Sequence, residues 1–535
     1  MQLIQGVHLM LLATVPVVGA QRYADNQRPI LRDGPLVAAA FPSVDVELLT
    51  PAFLNPETVP AGFADNAAGP TDQATLERFL QGLAERRSWI TYHDDPSLRS
   101  EEGRSLPYVK LSTNHLGRSN STEKLRVYLQ GGVHGDEPAG DQAILALLGK
   151  LAFNETWALS VLSKLDLLVL PRYSPDSVAY FQRQLATGFD PNRDHALLQR
   201  KQTRDLKKLI NDFNPHIALD AHEYTGVNPV GANQNYIRAQ DVLVSAVKNP
   251  NIHAEIRGLG EGLFIETIFD RVKAAGFRTA PYFVTGGSGD DIRLTEPSSI
   301  SQAGHNSWGL GQTLTFLTET RGIRLGDQHF HRRVAAGLTA AEAIIQIAAD
   351  NADLVYRTIE GARLSFIEAS NDIIVVDRAR VTDTAIEFID KTSGSIIDVP
   401  VKFNNNTPSE IVLTRPRPEA YIFSPGFADV AERLRVLGVE VEVLAEPWTG
   451  TVETLTVETV TLAASRHEGV VHAAVTTTPG SREVTLPSGA FRVSSRQQNA
   501  AFAFVALEPE NISSFVTYNV IPLERGEEYP VFRVL

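Results

Sequence analysis

The sequence predicts an α/β fold, a mixed and mostly parallel sheet flanked by helices, followed by a β-rich C-terminal domain. Three observations predict it. Four short apolar runs, residues 125–129, 165–170, 216–219 and 314–317, are separated by stretches of helical pattern. Strands that are apolar on both faces belong in a sheet covered from both sides, as largely parallel sheets are. After about residue 365 the pattern changes to β-branched alternation between turn residues, which reads as a run of strands. The chain has 535 residues, of which 43% are hydrophobic and 21% charged. That suffices for two or three domains with a large core.

Taken in order, residues 7–18 are almost wholly apolar and lead into Val18-Gly19-Ala20. Such a stretch closed by small residues predicts a signal peptide over residues 1–20 and a mature start at Gln21, although the first six residues carry no Lys or Arg. Residues 21–70 contain Pro51, Pro56, Pro60 and Pro70, which break periodicity and predict an irregular lead-in wrapped around a later domain. At Thr71 and Asp72 a helix can be capped, and Leu76, Phe79, Leu80 and Leu83 follow at three- and four-residue steps. A strand-turn-strand segment runs through residues 106–111. The four apolar runs follow, with helices such as 143–151 and 335–348. This α/β domain spans residues 71–365. In residues 366–535, segments 372–376, 451–461 and 470–477 read as strands, and only 429–437 reads clearly as a helix.

Composition excludes several classes. The formal net charge of −14 is spread along the chain, whereas neutralising phosphates needs clustered cations; nucleic acid is not an expected partner. There are no cysteines, so disulfides, thiolate-held metals and cysteine nucleophiles are ruled out. No later run approaches the roughly 18 to 20 apolar residues of a membrane span. The expectation is a secreted monomer that does not enter a membrane. N-x-Ser/Thr triplets beginning at Asn120, Asn154, Asn405 and Asn511 are consistent with a glycoprotein.

In open α/β sheets ligands gather beyond the carboxyl ends of the strands, and functional groups follow all four apolar runs. Gly131-Gly132-Val133-His134-Gly135-Asp136-Glu137 follows the first, and Arg183 and Asp190-Pro191-Asn192-Arg193 come after the second. Asp220-Ala221-His222 follows the third and Glu319-Thr320-Arg321 the fourth. Two imidazoles, one carboxylate and one open position make the ligand set of a catalytic zinc ion. His134, Glu137 and His222 supply it for one ion. A lone H-x-x-E is weak, but the double glycine before it, the second strand-end histidine and the strand-end Glu319 strengthen it together.

The set His134-x-x-Glu137, Asp190-x-Asn192-Arg193, His222 and Glu319 resembles the zinc metallocarboxypeptidases of the carboxypeptidase A family over residues 71–350. Over nearly the full length the chain looks like a secreted fungal branch of that family. The resemblance implies a mixed, mostly parallel sheet between helices and hydrolysis of the C-terminal peptide bond of peptides and proteins. It implies that His134, Glu137 and His222 bind zinc and that Glu319 is the general base. Arg183 corresponds to the arginine that stabilises the developing oxyanion. Asn192 and Arg193 correspond to the pair that grips the substrate's terminal carboxylate, and Asp190 to the acid that orients His134. Tyr282, four residues before Gly286-Gly287-Ser288, corresponds to the tyrosine that closes over the substrate. Gly289 falls at the position of the side-chain specificity residue. Asp136 replaces an arginine found in some members, and residues 21–70 are too short for the family's usual inhibitory pro-domain.

Two other expectations stay open at this point: a zinc deacylase of the aspartoacylase or succinylglutamate desuccinylase kind, and a silent peptide-binding homologue. A second histidine pair, His467-Glu468-Gly469-Val470-Val471-His472, has its histidines five apart rather than four and lies in strand-like surroundings; it is expected to be structural.

Overall fold

The computed structural model describes residues 27–113 and 124–535; the expected signal peptide and the triplet at Asn120 lie outside them. The central sheet has eight strands, labelled here in chain order: β1 (Ile90–His93), β2 (Tyr108–Leu111), β3 (Leu125–Gln130), β4 (Leu165–Leu170), β5 (Ile217–Tyr224), β6 (Val242–Ala246), β7 (Thr279–Pro281) and β8 (Leu314–Arg321). Their spatial order is β1-β2-β4-β3-β5-β8-β6-β7. The middle four, β4-β3-β5-β8, run parallel, with antiparallel neighbours at β1/β2, β2/β4 and β8/β6. These four are the predicted apolar runs, so the fold class is as expected. β5 and β8 extend past their apolar runs, and every residue of both is buried. His222 and Glu319 therefore sit on strands rather than in the loops after them.

Helix α1 (Gln73–Arg86) begins at the predicted cap, where the Asp72 carboxylate accepts the Thr75 N–H at 2.7 Å. Helices α2 (Pro138–Phe153) and α3 (Phe330–Asp350) carry buried residues along nearly their whole length. Residues 27–70 are irregular with short helical turns. Asp33 ties this segment down by receiving both Nη atoms of Arg321 at 2.6 and 2.7 Å, with both side chains buried. Among the described residues no single helix is long and apolar enough to cross a membrane.

The β-rich part forms two sheets. A long hairpin, Ile373–Asp390 with Ile396–Arg415, pairs with Tyr236–Arg238 on one side and Asp291–Thr295 on the other, and Val284–Ser288 completes this five-stranded sheet. Strands from both sides of residue 365 thus share one sheet, and residue 365 itself lies within the helix Ala352–Glu368. A six-stranded antiparallel sheet follows, from which the hairpin Trp448–His467 with Val470–Leu486 extends. The helix Ala500–Leu507 was not evident from the sequence. All eight of its residues are buried, so it has no polar face and shows no helical period.

Candidate active site

The chain leaves β3 for β4 on one side and later takes up β5 on the other, which opens a crevice at the carboxyl end of β3. His134 and Glu137 stand there, in the tight turn between β3 and α2. The turn tolerates no side chain at Gly135, where a Cβ would lie 2.0 Å from the Ser177 carbonyl. His222 projects from the neighbouring β5. β8 pairs in parallel with β5 so that Glu319 is the register partner of His222, which puts their side chains on one face.

His134 Nδ1 is 2.9 Å from Glu137 Oε1, His222 Nδ1 is 2.9 Å from Glu137 Oε2, and the two Nδ1 atoms are 3.2 Å apart. Among the described residues this is the one trio of His, Cys or acidic side chains whose donor atoms all lie within 4.8 Å of one another. All three are buried. The far nitrogens are taken by carboxylates: His134 Nε2 is 3.0 Å from Asp190 Oδ1, and His222 Nε2 is 3.1 Å from Asp220 Oδ1. A proton held on each Nε2 by its carboxylate leaves each Nδ1 with a lone pair facing the same small space. Two lone pairs and a carboxylate buried together need a cation between them, and this donor set fits zinc. The surrounding field agrees: burial disfavours the imidazolium, yet Asp220 and Glu137 push the His222 pKa well above its usual value. The site is one where positive charge is stabilised.

The remaining predicted residues ring this centre. Burial pushes the Glu319 carboxyl up to about 8, against the pull of His222, Arg183 and a hydrogen bond with the Tyr282 hydroxyl. Arg183 Nη1 donates to Glu137 Oε1 at 3.0 Å, and its Nε donates to Asp190 Oδ2 at 3.0 Å. Asn192 Oδ1 accepts the Gly304 N–H at 2.7 Å, and Arg193 Nη1 donates to the Asn192 carbonyl at 2.8 Å. A cleft of about 540 Å³ has His134, Glu137, Arg183, Asn192, Arg193, Tyr282 and Glu319 in its wall. Asp190 and His222 complete the ring, against His134 and Glu137.

One expectation does not hold. Gly289 is exposed, lies outside the cleft wall and occupies the turn of the hairpin Val284–Ser288 with Asp291–Thr295. With Gly287 and Gly289 at φ +87° and +60°, the chain reverses into the five-stranded sheet instead of lining the substrate pocket. Ile300, His305 and Leu317 line the cleft. Two participants were missed. Asp220 has no assigned role in the sequence reading, though its place two residues before His222 on a strand puts both on one face. Arg28 also lines the cleft, 3.5 Å from the buried Asp136; nothing in local spacing links residues so far apart. The pair His467 and His472 forms no such centre: their rings sit edge-on with centroids 5.4 Å apart, and His472 packs on Tyr518.

Comparison with known proteins agrees with this geometry. Residues 76–224 match the family described as zinc carboxypeptidase. A protein named Carboxypeptidase 2 from Trichophyton tonsurans is 47% identical over 518 residues, 96% of this chain and 96% of that protein. Carboxypeptidase 2 from Trichophyton rubrum is 46% identical over 520 residues, 97% of this chain and 96% of that one. The crystal structure of a metallo-carboxypeptidase from Burkholderia cenocepacia aligns with 52% of this chain and 70% of that chain at 16% identity and a TM-score of 0.40. Such identity to carboxypeptidases over almost the full length, together with the two-histidine, one-glutamate centre for a single zinc ion, means that this chain belongs to the zinc carboxypeptidase family.

Proposed function

We propose that the chain removes single residues from the free C-termini of peptides and proteins by direct attack of water, with Glu319 as the general base. The observation that carries this is the pairing of Glu319 with His222 across β8 and β5, beside a donor trio whose remaining side opens to the cleft. When bound, zinc polarises the scissile carbonyl and lowers the pKa of a water toward neutrality. Glu319, buried and therefore ready to hold a proton, takes one from the attacking water and delivers it to the leaving amine. Tyr282, in the cleft wall with Glu319, covers the substrate. Arg183, already against Glu137, offers a fixed positive charge to the oxyanion, a contribution of about 3 kcal/mol.

Arg193 and Asn192 hold the substrate's terminal carboxylate, where a planar guanidinium gives two parallel hydrogen bonds. Asp190 keeps the proton of His134 on Nε2. We take residues 71–365 as the catalytic unit and residues 366–535 as its β-rich companion, and we read the protein as secreted from the apolar stretch at residues 7–18. Asn154 is exposed, whereas Asn511 is buried and donates through its amide to the Val375 carbonyl at 2.7 Å, so a glycan belongs at the former and not at the latter. The test is mass spectrometry of a mixed peptide library after digestion, with a chelated control. Stepwise shortening from free C-termini, abolished by chelation, is expected; internal cuts, or release of N-acyl groups alone, would refute the exopeptidase assignment.

A further inference from the structure

The turn that carries Asp190, Asn192 and Arg193 is held from outside the catalytic unit. The hairpin Trp448–His467 with Val470–Leu486 closes at Glu468-Gly469, between the register partners His467 and Val470. Glu468 Oε2 accepts the Asp190 backbone N–H at 2.9 Å, and its charge interacts with that of Arg193. A Cβ on Gly469 would stand 3.4 Å from the Phe189 ring. Beside the tip, Val470 packs against Ala196, Leu197 and Tyr518. Glu468 and Gly469 both have left-handed backbone, at φ 47° and 81°. A turn of this kind takes Asn-Gly or Asp-Gly at least cost. Glutamate is a costly choice there, and its longer side chain is what reaches Asp190.

We propose that Glu468 is a positioning residue that sets the turn 190–193, so that the C-terminal hairpin forms part of the frame of the active site; this rests on the assignment of Arg193 as the carboxylate grip. The Asp190 side chain is already committed to His134 at 3.0 Å and to Arg183 at 3.0 Å. With its backbone N–H held by Glu468, Asp190 is fixed at both ends and the direction of Asn192 and Arg193 follows. Without Glu468 that N–H loses its partner, and the turn relaxes. The hairpin reaches the zinc donors only through Asp190, whose carboxylate keeps its own bonds to His134 and Arg183, and Glu319 sits on β8. Substrate grip should therefore suffer more than chemistry.

The test uses the full-length zinc-loaded protein on one peptide with a free and with an amidated C-terminus. Wild type that cleaves both alike would overturn the grip assignment, and this proposal with it. Given a preference for the free carboxylate, Glu468→Ala should raise KM for that peptide about tenfold with kcat nearly unchanged. Glu468→Gln, whose amide oxygen accepts the same N–H, should stay within about twofold of wild type. Glu468→Asp, too short to reach, should behave as the alanine variant and replaces it if that one does not fold. Arg482→Ala, which removes an exposed pair with Glu528 on the same hairpin, should leave the kinetics unchanged. Amide hydrogen exchange by mass spectrometry should quicken over residues 189–195 in the alanine variant and not in the glutamine variant. Unchanged KM in Glu468→Ala, equal damage in Glu468→Gln, or the same rise in KM in Arg482→Ala would overturn the proposal.

Discussion

Two regions of this chain bring a glutamate together with two histidines, and they serve different ends. At the carboxyl ends of β3 and β5, His134, Glu137 and His222 are buried, and each histidine has its outer nitrogen against a carboxylate. At the tip of the C-terminal hairpin, His467 is exposed, His472 packs edge-on against Tyr518, and Glu468 turns away to a backbone N–H. Ligand types within a short stretch do not make a metal centre. Burial, convergence and the carboxylates behind the imidazoles do, because they fix which nitrogen carries the proton and where its lone pair points.

The largest expected effect sharpens the chemistry of the first region. Glu319→Gln should lower kcat by about 10³-fold, in the range of general-base catalysis, while metal analysis still finds one zinc per chain. Turnover near the wild-type rate would remove Glu319 from the mechanism. Next, Asp220→Asn should weaken zinc binding by about 10- to 100-fold in competition with a chromophoric chelator, because a neutral carboxamide holds the His222 proton on Nε2 less firmly than a carboxylate does. His472→Phe should leave both zinc affinity and turnover where they are. If the two substitutions behaved alike, the contrast between the two regions would fail.

The smallest effect concerns how the lead-in is anchored over β8. Burial favours the neutral Asp33 carboxyl, but the His329 imidazole 3.6 Å away and the hydrogen bonds from Arg321 prevail and hold it at about 2, below its usual 3.8. A carboxyl whose pKa is lowered by folding contributes stability that is complete above the unfolded value and is lost as pH falls through the folded one. Asp33→Asn should therefore cost about 2 kcal/mol at pH 6, and its Tm should approach that of wild type as pH drops from 4 toward 2. A gap in Tm that did not narrow would mean that packing, and not charge, anchors the segment.

The four central strands and α1 were legible because each repeats a local pattern: a continuous apolar run, or apolar residues at helical steps behind an Asp cap. His134, Glu137, His222 and Glu319 were legible because they follow such runs, and a strand in an open α/β sheet points to the ligand side at its carboxyl end. The helix Ala500–Leu507 was hidden because burial on all sides erases its period. Gly289 misled because a local match to a motif does not show which way a hairpin turns.

By itself the sequence determined the fold class, the strands that converge and the donors they carry, since these follow from short-range periodicity and residue chemistry. Only the tertiary structure decided that Arg28 reaches the cleft and that Glu468, 278 residues after Asp190, holds its N–H. Contacts between segments so far apart depend on how sheets stack and where a hairpin ends, and no spacing along the chain records that.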